Sequence, residues 1–255
     1  MCSLLPLDKY LFLYFLRKYL LRIRSAHDQI PQSRDDSRAV WQLRTRTGRA
    51  TQCAAFIYRG ADPYRNCWAL PGDLICLDTD LSSSAEKVLQ DLTGLDQIYM
   101  EQIHTFGKVD RHPFGRVFTV AYFALIKIED YNIHPSSWAE EAAWFPISEI
   151  PDLPFDHNEI LSFAKEQIKT KIRQQPIGFE LLPKYFTLTE LQNLYESILE
   201  TTFDVRNFRK KILSMDFISE TGLKQSSVTH RPAKLYKYNA KKYNKLTHGG
   251  IAFDL

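Results

Sequence analysis

The sequence predicts an α+β chain in two parts: a mixed sheet-and-helix domain, then a C-terminal winged helix-turn-helix domain. Three observations predict it. Residues 68–95 read as strand end, tight turn, loop and helix. Two stretches, 98–106 and 117–128, follow that helix and read as strands, the second rich in β-branched and aromatic residues. From Leu181 onward the pattern changes to two capped helices and then two strand-like pieces around a polar loop.

Composition bounds the problem without solving it. The chain has 255 residues, 44% hydrophobic and 25% charged, which is ordinary globular composition with room for one large or two modest domains. A formal net charge of +3 is close to neutral. Cys2, Cys53, Cys67 and Cys76 have no C-x-x-C spacing, so neither a metal knuckle nor a disulfide framework is legible. A reducing cytoplasm is the expected compartment.

Residues 1–35 are expected to be an extension of unknown role. Tyr10 to Leu16 is an apolar run flanked by Lys9 and Arg17-Lys18. It is too short for a spanning helix, which needs about 20 residues, and no small-residue cleavage site follows it. The readings are a helix or strand packed on the main body, a membrane-surface helix with basic flanks, or an extension that is poorly ordered or not natively translated. Residues 29–37, polar with a Pro, read as a linker. Ala39 to Leu43 and Cys53 to Tyr58 are strand-like, with a turn at Thr45 to Gly48.

In residues 68–95, Pro71-Gly72 is the turn signal. Ser82 to Ser84 offer N-cap hydroxyls, and Ala85, Val88, Leu89 and Leu92 form one apolar helical face. Gly94 sits where a left-handed C-terminal cap belongs. Residues 106–116 form a long charged connection between two strands, punctuated by Gly and Pro. Glu140-Glu141 and Trp144-Phe145 open the last part of this domain. Phe155-Asp156-His157 precedes a helix over 160–172, with His157 read as a helix-start or core histidine. Gln174 to Gly178, with Pro176, marks the domain boundary.

In the C-terminal part, Thr187-Leu188-Thr189-Glu190 is a capping box. Leu188, Leu191, Leu194, Tyr195 and Ile198 give the stripe of the helix that follows. Asp204 caps a second helix over 205–213, with Val205, Phe208 and Ile212 expected to face inward. That leaves Arg206, Asn207, Arg209, Lys210 and Lys211 largely outward, the side chains a major-groove reader needs. Met215 to Ile218 and Ala233 to Tyr238 are expected as wing strands around the loop at Gly222 to Arg231. After Asp204 only Asp216, Glu220 and Asp254 offset a basic bias.

The 68–95 stretch resembles the Nudix box through Trp68, Leu70, Pro71, Gly72, Leu89, Gly94 and Leu95. The resemblance implies a Nudix-like α/β/α sandwich. In the hydrolases of that family, three helical carboxylates hold Mg²⁺, a hard cation that takes oxygen ligands. Here those positions are Val88, Asp91 and Leu92, so one carboxylate remains. Lys87 stands for the motif's Arg, Thr79 for its loop Glu and Asp73 for its second Gly, while Asp78 and Asp80 are nearby at the wrong spacing. A degenerate domain is expected, with no catalytic residues, no metal and no cofactor.

Taken together, residues 39 to 238 resemble the Nudix-related transcriptional regulators, most specifically at Asp204 to Ile212 and Arg231 to Tyr236. The division implied is an effector-binding Nudix-like domain at 36–175, a winged helix-turn-helix at 176–245 and a tail at 246–255. One branch senses ADP-ribose; another, from Bacteroidetes, senses a sugar such as arabinose. Tyr99 to Gln102, Phe155 to His157 and Pro176 to Lys184 look closer to the sugar branch, so a pentose is the expected effector, with ADP-ribose second. The implied effector set is Arg59, Asp110, Arg111, Arg116 and Asp156, and the implied DNA-binding set is Thr187, Gln192, Arg206, Asn207, Arg209, Lys210, Arg231 and Lys234. The expected partners are duplex DNA with a palindromic operator, a small-molecule effector and a second copy of the chain, with no membrane. The alternatives are an active hydrolase using Asp78, Asp80 and Asp91, and an RNA-binding or scaffold protein.

Overall fold

Alternation along two strands sets the layers of the first domain. In the computed structural model, which describes residues 10–19, 52–75, 78–127, 132–135, 137–226 and 232–248, strands β2 (Cys53–Arg59) and β6 (Val117–Lys127) are buried on both faces. Ala54, Phe56, Ala121 and Phe123 enter one core, and Ala55, Ile57, Tyr122, Ala124 and Ile126 enter the other. Successive side chains of a strand point to opposite faces, so one layer of strands serves two cores. Helix α1 (Leu81–Thr93) closes the second core with Ala85, Val88, Leu89 and Leu92. Helix α2 (His157–Gln174) closes the first with Ile160, Leu161, Ala164, Ile168 and Ile172. This is the α/β/α sandwich that the Nudix resemblance implies.

The strands lie in two sheets, ordered β4-β1-β6-β5 and β3-β2-β7. Strand β1 (Tyr10–Tyr19) runs parallel to β4 (Gly72–Leu74), with Phe15 opposite Gly72, and antiparallel to β6, with Tyr14 opposite Tyr122. The apolar run near the N-terminus is thus a strand with neighbours on both sides. Strand β3 is Trp68–Ala69, β5 is Glu101–Phe106 and β7 is Ala139–Pro146. The expected strand at 39–43 and turn at 45–48 lie outside the described residues. Strand β5 starts three residues later than the sequence suggests; Ile98, though outside the strand, is buried under α1.

The cap of α1 differs from expectation. Asp80, not a serine, is the N-cap, and its Oδ1 accepts from the Ser83 backbone N–H at 2.8 Å. A carboxylate at that point also meets the positive end of the helix dipole. Gly94 ends the helix at φ 74°, where its N–H donates to the Gln90 carbonyl at 2.8 Å, as the sequence predicts.

The C-terminal domain is a helix pair with a wing. Helices α3 (Leu188–Leu199) and α4 (Val205–Leu213) precede strands β8 (Ile218–Lys224) and β9 (Lys234–Tyr238). The expected strand at Met215 to Ile218 is instead a tight turn out of α4, in which the Met215 N–H donates to the Ile212 carbonyl and the Ile218 N–H to the Met215 carbonyl. That turn buries Phe217 and starts the strand at Ile218. Helix α5 (Ala240–His248) follows β9, with Tyr243 edge-on to Phe217 at 5.3 Å. Val205 is half exposed rather than inward: α4 meets the core only at Phe208 and Ile212, four residues apart.

A 3-10 segment, Pro176–Leu181, joins the domains, and its Phe179 stacks on Tyr238 of β9 at 4.7 Å. Phe179, Leu181, Leu191 and Tyr195 belong to the same continuous core as Ala54, Phe56 and the buried face of α2. Among the described residues no helix is long and apolar enough to cross a membrane.

Candidate DNA interface and effector site

Helix α4 is held at its start and its core face, which frees the rest for contact. Asp204 accepts from the Asn207 N–H at 2.8 Å, and Phe208 and Ile212 are buried. Arg206, Asn207, Arg209, Lys210 and Lys211 are all exposed. Arg209 donates from Nη2 to the Thr189 hydroxyl at 3.2 Å, tying α4 to the first turn of α3. The arrangement presents donors for guanine edges, an amide for adenine and cations for phosphate from one short helix. Lys234 on the wing is exposed and pairs with Glu220 at 3.0 Å. Arg231 lies outside the described residues.

Two of the expected DNA-binding residues have other employment. Thr187 is buried and completes the capping box: its hydroxyl accepts from the Glu190 N–H at 3.1 Å, and its own N–H donates to Glu190 Oε2 at 2.7 Å. Gln192 is buried, and its Nε2 donates to Glu196 Oε1 at 2.8 Å and to the Phe203 carbonyl at 3.0 Å. Glu196 Oε1 also accepts from the Phe203 N–H at 2.8 Å. Gln192 therefore fixes the turn between the helices and is buried there. Its place on the Leu188–Leu191–Tyr195 stripe is the signal that marks it as inward.

In the first domain, two of the expected effector residues bind each other. Arg111 donates from Nε and Nη2 to the two Asp156 oxygens at 2.8 and 2.6 Å, and Nη1 donates to the Thr119 hydroxyl. Both partners are almost fully buried. This fork-to-carboxylate pair pins the 107–116 loop to the residue before α2, and Lys108 adds a second tie to Glu159 at 2.6 Å. Arg111 and Asp156 thus brace the loop against α2, with the polar atoms of Arg111 engaged by Asp156 and Thr119. Asp110 is exposed on the loop, and Arg116, also exposed, lies over Phe118 at 4.7 Å.

Arg59, at the end of β2, is different. It is 6% exposed and makes no ion pair among the described residues. Its Nε donates to the Pro63 carbonyl at 3.0 Å and its Nη2 to the Ala61 carbonyl at 3.3 Å. The guanidinium lies over Trp138 at 5.1 Å and Phe155 at 5.4 Å. Burial pushes its pKa below the ordinary arginine value, while Asp73, Cys67 and Asp62 oppose that shift. Around it Phe155 stacks on His112 at 5.2 Å and meets Tyr64 edge-on at 4.7 Å, and Trp138 Nε1 donates to Asp73 Oδ2 at 2.6 Å. Tyr64 is nearly half exposed and Phe114, beside His112, is two-thirds exposed. The result is an aromatic surface around a buried cation, beside the turn that opens the box. Sequence reasoning missed Tyr64, His112, Trp138 and Phe155, because residues from four separate segments assemble it.

The box itself does not fit a magnesium ion. Val88 and Leu92 are apolar and buried on the core face of α1, and Asp80 is committed to the helix cap. Asp91 is the one carboxylate left at the three motif positions. A hard divalent cation would find a single ligand there.

Residues 178–238 match the family described as the NrtR DNA-binding winged helix domain. Over 193 residues the chain is 35% identical to the "ADPR responsive transcriptional repressor NtrR" of Acinetobacter baylyi, covering 74% of this chain and 76% of that protein. The crystal structure of Shewanella oneidensis NrtR complexed with a 27mer DNA superposes with a TM-score of 0.60 at 28% identity, over 72% of this chain and 85% of that one. An ADP-ribose pyrophosphatase of Methanocaldococcus jannaschii is 25% identical over 105 residues, covering 41% of this chain and 61% of its own.

Proposed function

The chain belongs to the NrtR family of Nudix-related transcriptional regulators, and on that footing we propose that it is an ADP-ribose-responsive repressor that binds operator DNA through its winged helix. The observation that carries this reading is the 35% identity to an ADP-ribose-responsive repressor over three-quarters of that protein's length. The exposed Arg206, Asn207 and Arg209 would choose the sequence, with Lys210, Lys234 and Arg231 supplying phosphate contacts. A homodimer would set two such helices on half-sites about one helical turn, roughly 34 Å, apart, so the operator would be palindromic.

ADP-ribose replaces the pentose that the short sequence phrases suggest. The relatives' names point to ADP-ribose, and none reported above points to arabinose. The site chemistry supports the change. A buried guanidinium suits a pyrophosphate, and the exposed rings of Tyr64 and Phe114, backed by the His112–Phe155 stack, suit a base. A pentose alone has neither group. In this reading Arg59 and the aromatic surface contact the effector, while Arg111 and Asp156 brace the loop against α2.

The domain acts as a sensor and not as a hydrolase in this reading, because two of three metal-ligand positions are buried apolar side chains. The pyrophosphatase likeness makes the other outcome worth a direct test.

The experiment is a gel shift of the purified protein on the DNA upstream of its own gene neighbourhood, with and without ADP-ribose, arabinose and xylose, at two salt concentrations. A specific shift altered by ADP-ribose alone is expected. A shift altered by arabinose and not by ADP-ribose would return the effector to the pentose class. Absence of any specific shift, together with magnesium-dependent turnover of ADP-ribose, would replace the repressor reading with the hydrolase.

A further inference from the structure

We propose that helix α2 transmits effector occupancy to the DNA-reading helices through a clamp in which Lys165 and Lys169 together hold Glu200. The inference rests on the reading of the chain as an effector-controlled DNA-binding protein and names how that control is exerted.

One end of α2 is anchored in the effector site. Asp156 takes the Arg111 fork, Glu159 takes Lys108, and Phe155 lies under Arg59. The middle of the same helix grips the helix-turn-helix. Lys165 Nζ lies 2.6 Å from Glu200 Oε1, and Lys169 Nζ lies 2.7 Å from Glu200 Oε2. The two lysines are four residues apart, hence on one face of α2. Glu200 ends α3, and Asp204 caps α4 a few residues later. A displacement at the start of α2 is carried about 12 to 18 Å along a rigid helix to the turn that sets the orientation of α4.

The join is not packed solid. A groove of about 710 Å³ runs between the domains, lined on one side by Gln52, Ile147 and Lys165 and on the other by Glu196, Ser197 and Glu200. Across it Gln52 donates from Nε2 to the Ser197 carbonyl. The clamp therefore sits at the edge of this groove, beside the continuous core that joins the domains.

Glu200 is one of five non-Gly residues at positive φ among the described residues, and the one that ends α3. It stands at φ 53°, ψ 40°, the left-handed conformation in which helices usually place Gly. A side chain kept where its Cβ is disfavoured points to a job for that side chain. The two lysines also hold its carboxyl below the usual glutamate range, so the clamp is charged at neutral pH. Partly exposed ion pairs contribute little to fold stability. A regulatory coupling needs little: shifts of about 5- to 150-fold in affinity suffice, and a clamp needs only to favour one of two arrangements.

The test measures operator affinity by fluorescence anisotropy, with and without saturating ADP-ribose, for wild type, Glu200→Gly and the double variant Lys165→Gln/Lys169→Gln. Calorimetric titration of ADP-ribose and a thermal melt run alongside. Wild type is expected to change operator affinity about tenfold or more on adding ADP-ribose. Both variants are expected to bind ADP-ribose and operator but to respond by no more than about twofold. Glu200→Gly should melt at or above wild type, because Gly relieves the left-handed backbone. Reversing the clamp, Glu200→Lys with Lys165→Glu and Lys169→Glu, should restore the response, which lost packing alone would not allow. Variants that respond like wild type overturn the proposal. So do variants that cannot bind operator even without ADP-ribose, since the clamp would then be merely structural. Should wild type bind operator and ignore ADP-ribose, it is the effector reading that fails, and the clamp falls with it.

Discussion

Arg111 and Arg209 put the same guanidinium to opposite uses. Arg111 is buried, with its donors spent on Asp156 and Thr119, while Arg209 is exposed on α4 with one bond to Thr189. Replacing Arg111 by Ala leaves the Asp156 carboxylate buried and unpaired, which should cost about 3–5 kcal/mol of folding stability; urea denaturation would measure it. Replacing Arg206 or Arg209 by Ala should leave the fold alone and cost about 1–3 kcal/mol of specific DNA binding. If both variants bind operator as tightly as wild type, α4 is not the reading helix. A third case is set by pH. The Glu200 carboxyl is held below its ordinary value by Lys165 and Lys169. Its contribution is therefore fully present above the usual glutamate range and lost as pH falls through the depressed value. The small difference in melting temperature between wild type and Glu200→Gln should persist at neutral pH and vanish in acid.

Helix ends show which signals are local enough to read from sequence. The capping box at Thr187–Glu190 needs four consecutive residues and forms as expected. Thr187→Ala should cost about 0.5–2 kcal/mol, seen as a lowered midpoint in chemical denaturation with DNA contacts otherwise intact. The Gly94 cap was equally legible, and so was the inward stripe of α3. Elements that depend on a distant neighbour were not. Gln192 looks like a groove contact until Phe203 is seen across the turn. Strand β8 is displaced because the Phe217 turn, not local propensity, sets its start. Helix α5 carries lysines with one anchoring aromatic, Tyr243, and no apolar stripe to announce it. The proposed effector site was half legible: the resemblance implied Arg59, but Trp138 and Phe155 reach it only through the fold.

At the scale of the molecule, the DNA-reading helices and the sensing domain share a core. Ile168 on α2 is buried in the cluster that also holds Phe56 from β2 and Leu191 and Tyr195 from α3. Ile168→Ala should cost about 2–5 kcal/mol, and a single unfolding transition, followed by calorimetry, should move as a whole; two separate transitions with only one displaced would show that the domains melt independently. That continuity has a genetic face. A repressor whose reading head leans on its sensor for hydrophobic cover loses both when either loosens. Substitutions such as Ile168→Ala, which touch neither operator nor ligand, should therefore surface in a screen as temperature-sensitive alleles: repression intact in the cool, target genes switched on as the culture warms, and silence restored when it is cooled again.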